Sequence, residues 1–214
     1  MRENARGTGG VTGAVRFFSC HNGGGRSVTQ DVAGADADLV DRLRRSDRAA
    51  FRELYARYAQ PTFAFLMRLA RRRDAAEDLQ QETWLAVARH AARLAPDSDV
   101  GAWIFTVARN QFRSWRRRAP EPAADLAVAE LAAAVPAGAG DVDIDVERAL
   151  AALPEMHREI LLLVGVEGLS TDRAAHVLAI RADAARQRLA RARAALAEAL
   201  RAAGDDSEPQ RGAS

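Results

Sequence analysis

Residues 101–118 read GAWIFTVARNQFRSWRRR, with Arg109, Arg113, Arg116, Arg117 and Arg118 and no acid. Trp103, Phe105, Phe112 and Trp115 are interleaved with those cations. On a helix, Phe105, Ala108, Phe112 and Trp115 follow three-four spacing along one side, and Arg109, Arg113 and Arg116 follow it along another. One side can pack while the other holds several positive charges towards a polyanion. Phosphate binding by such an array is independent of sequence and sensitive to salt. A single helix of this kind is common on ordinary proteins, so its weight depends on its surroundings.

A second basic run follows further along. Residues 182–203 carry Arg186, Arg188, Arg191, Arg193 and Arg201. A short helical pattern, TDRAAHVLA, precedes them, with a tight turn at Ile180-Arg181. A short helix, a turn and a longer arginine-bearing helix outline a helix-turn-helix. The segment before the first basic helix has a different character. There Asp78, Gln81, Glu82, Leu85 and Arg89 share one helical face, opposite Leu79, Thr83 and Ala86. An acidic face with a leucine in it suits protein docking, but spacing alone favours a solvated face.

Other chemistries find little support. His90, His157 and His176 stand alone, without metal-ligand spacing. Glu77, Asp78 and Glu82 lack the Glu-x-x-His partner of a carboxylate metal site in a helical bundle. Cys20 is the single cysteine, which excludes an internal disulfide and fits a reducing compartment. No catalytic residue, metal or cofactor is expected. No apolar run reaches the roughly 20 residues that cross a bilayer. The patch ending Phe17-Phe18-Ser19-Cys20 is interrupted by Arg16 and makes a poor export signal. A cytoplasmic protein is expected, with no direct membrane insertion.

The elements that must position the basic helices are all helical. The chain has 214 residues, 48% of them hydrophobic and only 6% aromatic, and its abundant alanine favours close-packed helices. Net charge is only +2, and all 31 basic residues are arginine, which fits a GC-rich genome. Residues 1–34 are rich in Gly, Ser, Thr and Asn and read as a disordered tail. A first helical domain spans 35–119. Within it, Asp47 is expected to cap a helix that Pro61 should kink or interrupt. Asp74 and Glu77 form a candidate capping box for the next helix. Residues 120–144 form a flexible acidic linker, with a candidate short helix at 126–134. A second helical domain spans 145–203, in which Pro154 starts a helix, Gly168 ends one and Ser170 caps one. Residues 204–214 form a tail. The fold class is therefore all-α: two small helical domains joined by an acidic linker.

In this order, the motifs resemble a known family: bacterial RNA polymerase sigma factors of the sigma-70 family, extracytoplasmic-function (ECF) group. The matching runs are AEDLQQETWLAV (76–87), GAWIFTVARNQFRSWRRR, ALAALPEMHREILLLVGVEGLS (149–170) and RQRLARARAAL (186–196). Together they extend over roughly 36–201. The resemblance implies a region 2 bundle and a region 4 helix-turn-helix, in a protein that is not a catalyst. It would bind core RNA polymerase and direct promoter-specific initiation, in a stress or envelope-signal response. Asp78, Gln81 and Glu82 match the family's polymerase-docking positions, which reverses the preference for a solvated face. Arg109, Asn110, Arg113, Arg116 and Arg117 would meet DNA on the −10 side, with fine base reading in the loop at about 92–100. Arg186, Gln187 and Arg191 would contact the −35 element. The acidic linker resembles the connector that threads towards the polymerase active centre. An anti-sigma factor is an implied partner, and the chain is expected to be a monomer.

The sequence also departs from the family pattern. Ser114 replaces an aspartate, Ala174 an isoleucine, Ala179 the turn glycine and Asp183-Ala184-Ala185 a Gly-Thr-Val. If Ala179 needs a positive φ, the turn carries a backbone cost. Two rival readings remain beside the sigma factor. One is a helix-turn-helix regulator acting without polymerase; the other is a helical interaction protein with degenerate promoter recognition.

Overall fold

The structure, a computed structural model, describes residues 37–118 and 141–206, and within the second segment the side chains of 145–202. Every regular element among the described residues is helical. The first unit contains α1 (37–44), α2 (Arg48–Ala70), α3 (Arg73–His90) and α4 (Val100–Arg118), with a 3-10 turn at Ala91–Arg93. The second contains α5 (Asp141–Ala152), α6 (Glu155–Leu161), α7 (Thr171–Leu178) and α8 (Ala182–Asp206). The tails, residues 119–140 and the candidate helix at 126–134 lie outside the described residues. Helix α5 starts at Asp141, so the last four residues assigned to the linker belong to it.

Local chemistry accounts for most helix ends. Asp47 caps α2, its Oδ1 accepting from the Ala49 amide at 2.7 Å. Helix α2 then runs unbroken through Pro61. Proline removes one donor from the ladder, and nearby side chains engage the adjoining carbonyls. Thr62 Oγ1 donates to Tyr58 O at 2.6 Å, and Gln80 Nε2 on α3 donates to Ala59 O at 2.8 Å. The expected interruption is therefore absent. Arg71 ends the helix in the left-handed region, φ 56°.

The capping box at Asp74 does not form. Helix α3 starts earlier than expected, after Arg72, which makes no side-chain cap. The Asp74 carboxylate instead pairs with Arg72, and Glu77 pairs with Arg73 at 2.9 Å. Hydrogen bonding to the Arg72 guanidinium holds the Asp74 carboxyl below its usual range. Asp99 opens α4, its Oδ1 accepting from the Ala102 amide at 3.0 Å.

In the second unit, Arg158 closes α5. It is buried and donates to three carbonyls, Leu150 at 3.0 Å, Ala151 at 2.9 Å and Leu153 at 2.8 Å. Those are acceptors that a helix C-terminus leaves without intrahelical partners. A π-helical turn at Leu162–Val166 follows α6 and ends at Gly168, φ 68°. Ser170 Oγ accepts from the Arg173 amide at 3.2 Å and caps α7. Ala179 then turns the chain with φ 53° and ψ 46°, so the turn does impose the left-handed conformation that favours glycine.

Two apolar clusters hold these helices together. One lies within the first unit and includes Leu39, Leu54, Trp84, Val100 and Ile104. The larger one is shared. It runs from Phe65, Leu69, Phe105 and Phe112 into Leu150, Leu153, Ile160 and Leu178 without a break. Phe65 and Phe105 meet edge to face at 5.4 Å, which locks α2 to α4. The two units are thus separate in sequence but packed on one core.

Candidate nucleic-acid interface

Helix α4 buries its expected side. Phe105, Ala108 and Phe112 are enclosed, and Trp115 is half-buried beside Phe112, ring centres 5.9 Å apart. Asn110, Arg113, Arg117 and Arg118 are exposed. Arg109 differs: it is only 6% exposed. Its Nε donates to Glu159 Oε1 at 2.8 Å and its Nη2 to Glu159 Oε2 at 3.2 Å. Arg116 is half-buried, 3.5 Å from Glu155. The predicted phosphate face therefore divides. Arg113, Arg117 and Asn110 are open to a ligand, while Arg109 and Arg116 face carboxylates of α6.

The segment before α4 is also engaged. Asp99 accepts from Arg173 Nη2 at 2.5 Å, across 74 residues of sequence. A Cβ on Gly101 would lie 3.0 Å from that nitrogen and 3.1 Å from the Tyr58 hydroxyl. The missing side chain thus leaves room for Arg173 against the start of α4. On the neighbouring helix, Arg68 donates to Glu147 Oε1 through Nη2 at 2.6 Å and Nε at 2.8 Å.

The second basic face is open. Arg186, Gln187 and Arg191 are all exposed on α8, and α7 packs against that helix. The geometry is that of a helix-turn-helix whose second helix turns these residues outward. Arg186 Nη2 donates to Asp183 Oδ1 at 2.5 Å and Nη1 to Asp172 Oδ1 at 3.3 Å. The aspartate that replaces the usual residue at the helix start therefore holds the foremost arginine of the face. Ala174 is fully buried in the shared core.

The acidic face of α3 has the expected orientation. Asp78, Gln81 and Glu82 are exposed, and Leu85 beside them is 54% exposed. Leu79, Thr83 and Ala86 are buried on the opposite side. No group of three or more metal-ligating side chains occurs among the described residues, and no described helix is long and apolar enough to cross a membrane.

Two groups, the buried Arg158 and the half-buried Glu167, titrate unusually. Burial, aided by the neighbouring Arg71, lowers Arg158 to about 10. Burial raises Glu167, at the end of the π turn, from 4.5 to about 7, with Arg68 opposing that rise. Sequence reasoning passed over Glu159, Arg158 and Glu147. One signal for two of them was available: charged residues inside the apolar run HREILLL need partners once that run is buried.

The chain was also compared with known proteins. Residues 54–120 match the family described as Sigma-70 region 2, and residues 143–196 match Sigma-70, region 4. The ECF RNA polymerase sigma factor EcfG of Rhodopseudomonas palustris is 35% identical over 76% of this chain and 87% of its own. The RNA polymerase sigma factor CarQ of Myxococcus xanthus is 33% identical over 75% of this chain and 95% of its own. Among solved structures, CnrH in complex with the cytosolic domain of CnrY superimposes with a TM-score of 0.62 at 25% identity. That match covers 81% of this chain and 99% of CnrH. The sigma factor RpoE of Bartonella quintana, solved with the anti-sigma factor NepR, gives 0.59 at 26% identity over 71% and 96% of the two chains.

Proposed function

Because this chain belongs to the ECF group of the sigma-70 family, and so directs transcription initiation with core RNA polymerase, we propose a division of labour among its three surfaces. The α3 face, Asp78, Gln81 and Glu82 with Leu85, docks on core polymerase. Helix α4 holds the −10 region through Asn110, Arg113 and Arg117, joined by Arg109 and Arg116 once those are released. Helix α8 reads the −35 element through Arg186, Gln187 and Arg191. Sigma factors are DNA-binding regulators rather than enzymes, and nothing in these surfaces calls for a cofactor.

One observation carries the assignment. Among the described residues, an acidic face with an exposed leucine on α3, Asn110, Arg113 and Arg117 on α4, and the Arg186, Gln187 and Arg191 face on α8 are all exposed. In the major groove an arginine fork suits guanine and a glutamine amide suits adenine. The docking face on α3 favours this reading over a regulator that works without polymerase. The Bartonella quintana relative was solved with an anti-sigma factor, which supports a partner of that kind here. A cytoplasmic location accords with these partners.

Transcription with purified core polymerase and a promoter library tests the proposal. The chain should join core enzyme and direct initiation from a subset of promoters. Asp78→Arg with Glu82→Arg should abolish both while leaving binding to free duplex DNA intact. Undiminished initiation by that variant would reject the α3 assignment.

A further inference from the structure

The interface between the two units has an unusual charge pattern. Three carboxylates from α5 and α6 each meet an arginine of the first unit: Glu147 with Arg68, Glu155 with Arg116, and Glu159 with Arg109. The Arg109 and Glu159 side chains are 7% and 4% exposed, and those of Arg68 and Glu147 are 13% and 7%. The Arg109 pair is bidentate. A carboxylate offers a guanidinium the same paired oxygens and the same charge sign as a phosphate. At the far end of the interface the polarity reverses, with Arg173 on Asp99 fixing the register. Between these contacts lies the shared apolar core.

We propose that the second unit docks on the first as a carboxylate mimic of the DNA backbone, so that closure of the chain and phosphate binding by Arg109 and Arg116 exclude one another. Arg109 cannot serve Glu159 and a phosphate together. Nor can the 92–100 segment open around a base while Asp99 is clamped by Arg173. The outward face of α8 stays available in the closed form, since Arg186, Gln187 and Arg191 are exposed. Closure therefore withholds Arg109 and Arg116 from DNA and leaves the α8 face free. This inference rests on the assignment of Arg109 and Arg116 as phosphate contacts.

The test uses the full chain with Cys20→Ser and dyes at Arg89→Cys and Arg201→Cys, one on each unit, to read closure by energy transfer. The DNA probe is a 30-base-pair duplex of arbitrary sequence, titrated across a salt series, because phosphate binding needs no promoter. The triple variant Glu147→Gln, Glu155→Gln, Glu159→Gln should lower transfer and raise affinity about tenfold. Its log affinity against log salt should steepen by roughly 1.8, two further phosphates at about 0.9 each. Arg173→Ala is the stricter variant, because it removes a cation and yet should also lower transfer and tighten DNA binding. Unchanged transfer in both variants, or weaker DNA binding by Arg173→Ala, overturns the proposal. Adding Arg109→Ala separates the premises. Placed in the opened triple variant, where Glu159 no longer carries a charge, it should weaken DNA binding. If opening occurs and Arg109→Ala still has no effect, closure stands, and the phosphate assignment fails together with the mimicry.

Discussion

Arg71 and Arg158 donate to the same acceptor. The carbonyl of Ala151 receives Arg71 Nη1 at 3.2 Å and Arg158 Nη2 at 2.9 Å. One guanidinium comes from the end of α2, the other from α6. Two cations on one carbonyl repel, and Arg71 is one cause of the lowered Arg158 value, second to burial. Their roles differ. Arg158 binds two further carbonyls of the α5 end, so it holds the second unit together internally; Arg71 only ties that unit to the first.

Arg158→Met should therefore destabilise the chain more than Arg71→Met. Methionine keeps the apolar stem but removes three hydrogen bonds; Leu150 keeps the Leu153 amide and Ala151 keeps Arg71, while Leu153 loses its guanidinium donor, at a cost of about 2–4 kcal/mol. Arg71→Met should cost well under half of that, since Ala151 retains Arg158. Urea unfolding followed by far-ultraviolet circular dichroism measures both, and the reverse order would contradict the capping role.

Ala179→Gly should stabilise the helix-turn-helix. At φ 53° an alanine Cβ crowds its own backbone, at a cost of roughly 1–2 kcal/mol. Glycine avoids that crowding but has more entropy to lose on folding. The net gain should be about 0.5–1 kcal/mol, or a Tm rise of roughly 2 °C. A lower Tm for the glycine variant would show that the turn is not strained.

Glu167 should make stability fall as pH rises. Its folded value, about 7, lies above its ordinary 4.5, so the folded chain keeps this proton longer than the unfolded chain does. Below about pH 4.5 both states are protonated and the group contributes no difference. Between 4.5 and 7 the unfolded state ionises first and stability drops, and above 7 the loss is complete. Glu167→Gln should remove this component and be the more stable protein at pH 8. Thermal unfolding of both at pH 5 and pH 8 decides it: a wild-type Tm equal to the variant's at pH 8 would refute the burial argument.

Arg186→Ala should weaken discrimination within the −35 element rather than polymerase binding. A bidentate arginine contributes about 1–3 kcal/mol of preference for its base pair, roughly tenfold or more in promoter use. Because Asp183 and Asp172 hold the guanidinium, Asp183→Ala should relax the same preference to a smaller degree. Initiation from promoters with intact and scrambled −35 elements provides the measurement. Equal use of both promoters by the unaltered protein would remove Arg186 from the reading face.

Local pattern was sufficient for much of this protein. Helical spacing separated the buried Leu79, Thr83 and Ala86 from the exposed Asp78, Gln81 and Glu82. It also identified the packed side of α4, because both follow from periodicity within one helix. Asp47 and Ser170 start helices through their side chains, Gly168 follows the end of one at a positive φ that its missing side chain permits, and the suspected strain at Ala179 is a real backbone conformation. Pro61 and the Asp74 box were misread for related reasons: a neighbouring helix supports the proline turn through Gln80, and Arg72 captures the Asp74 carboxylate.

What only the tertiary structure decided is which charges are free. Arg109 and Arg113 are one turn apart on the same basic face, yet one is buried against Glu159 and the other is exposed. Their sequence contexts are alike; the difference comes from a carboxylate 50 residues away. Periodicity is a property of a single helix and fixes which residues share a face. Burial and ion pairing depend on what covers that face, and here the cover is the second unit, brought over by a shared apolar core.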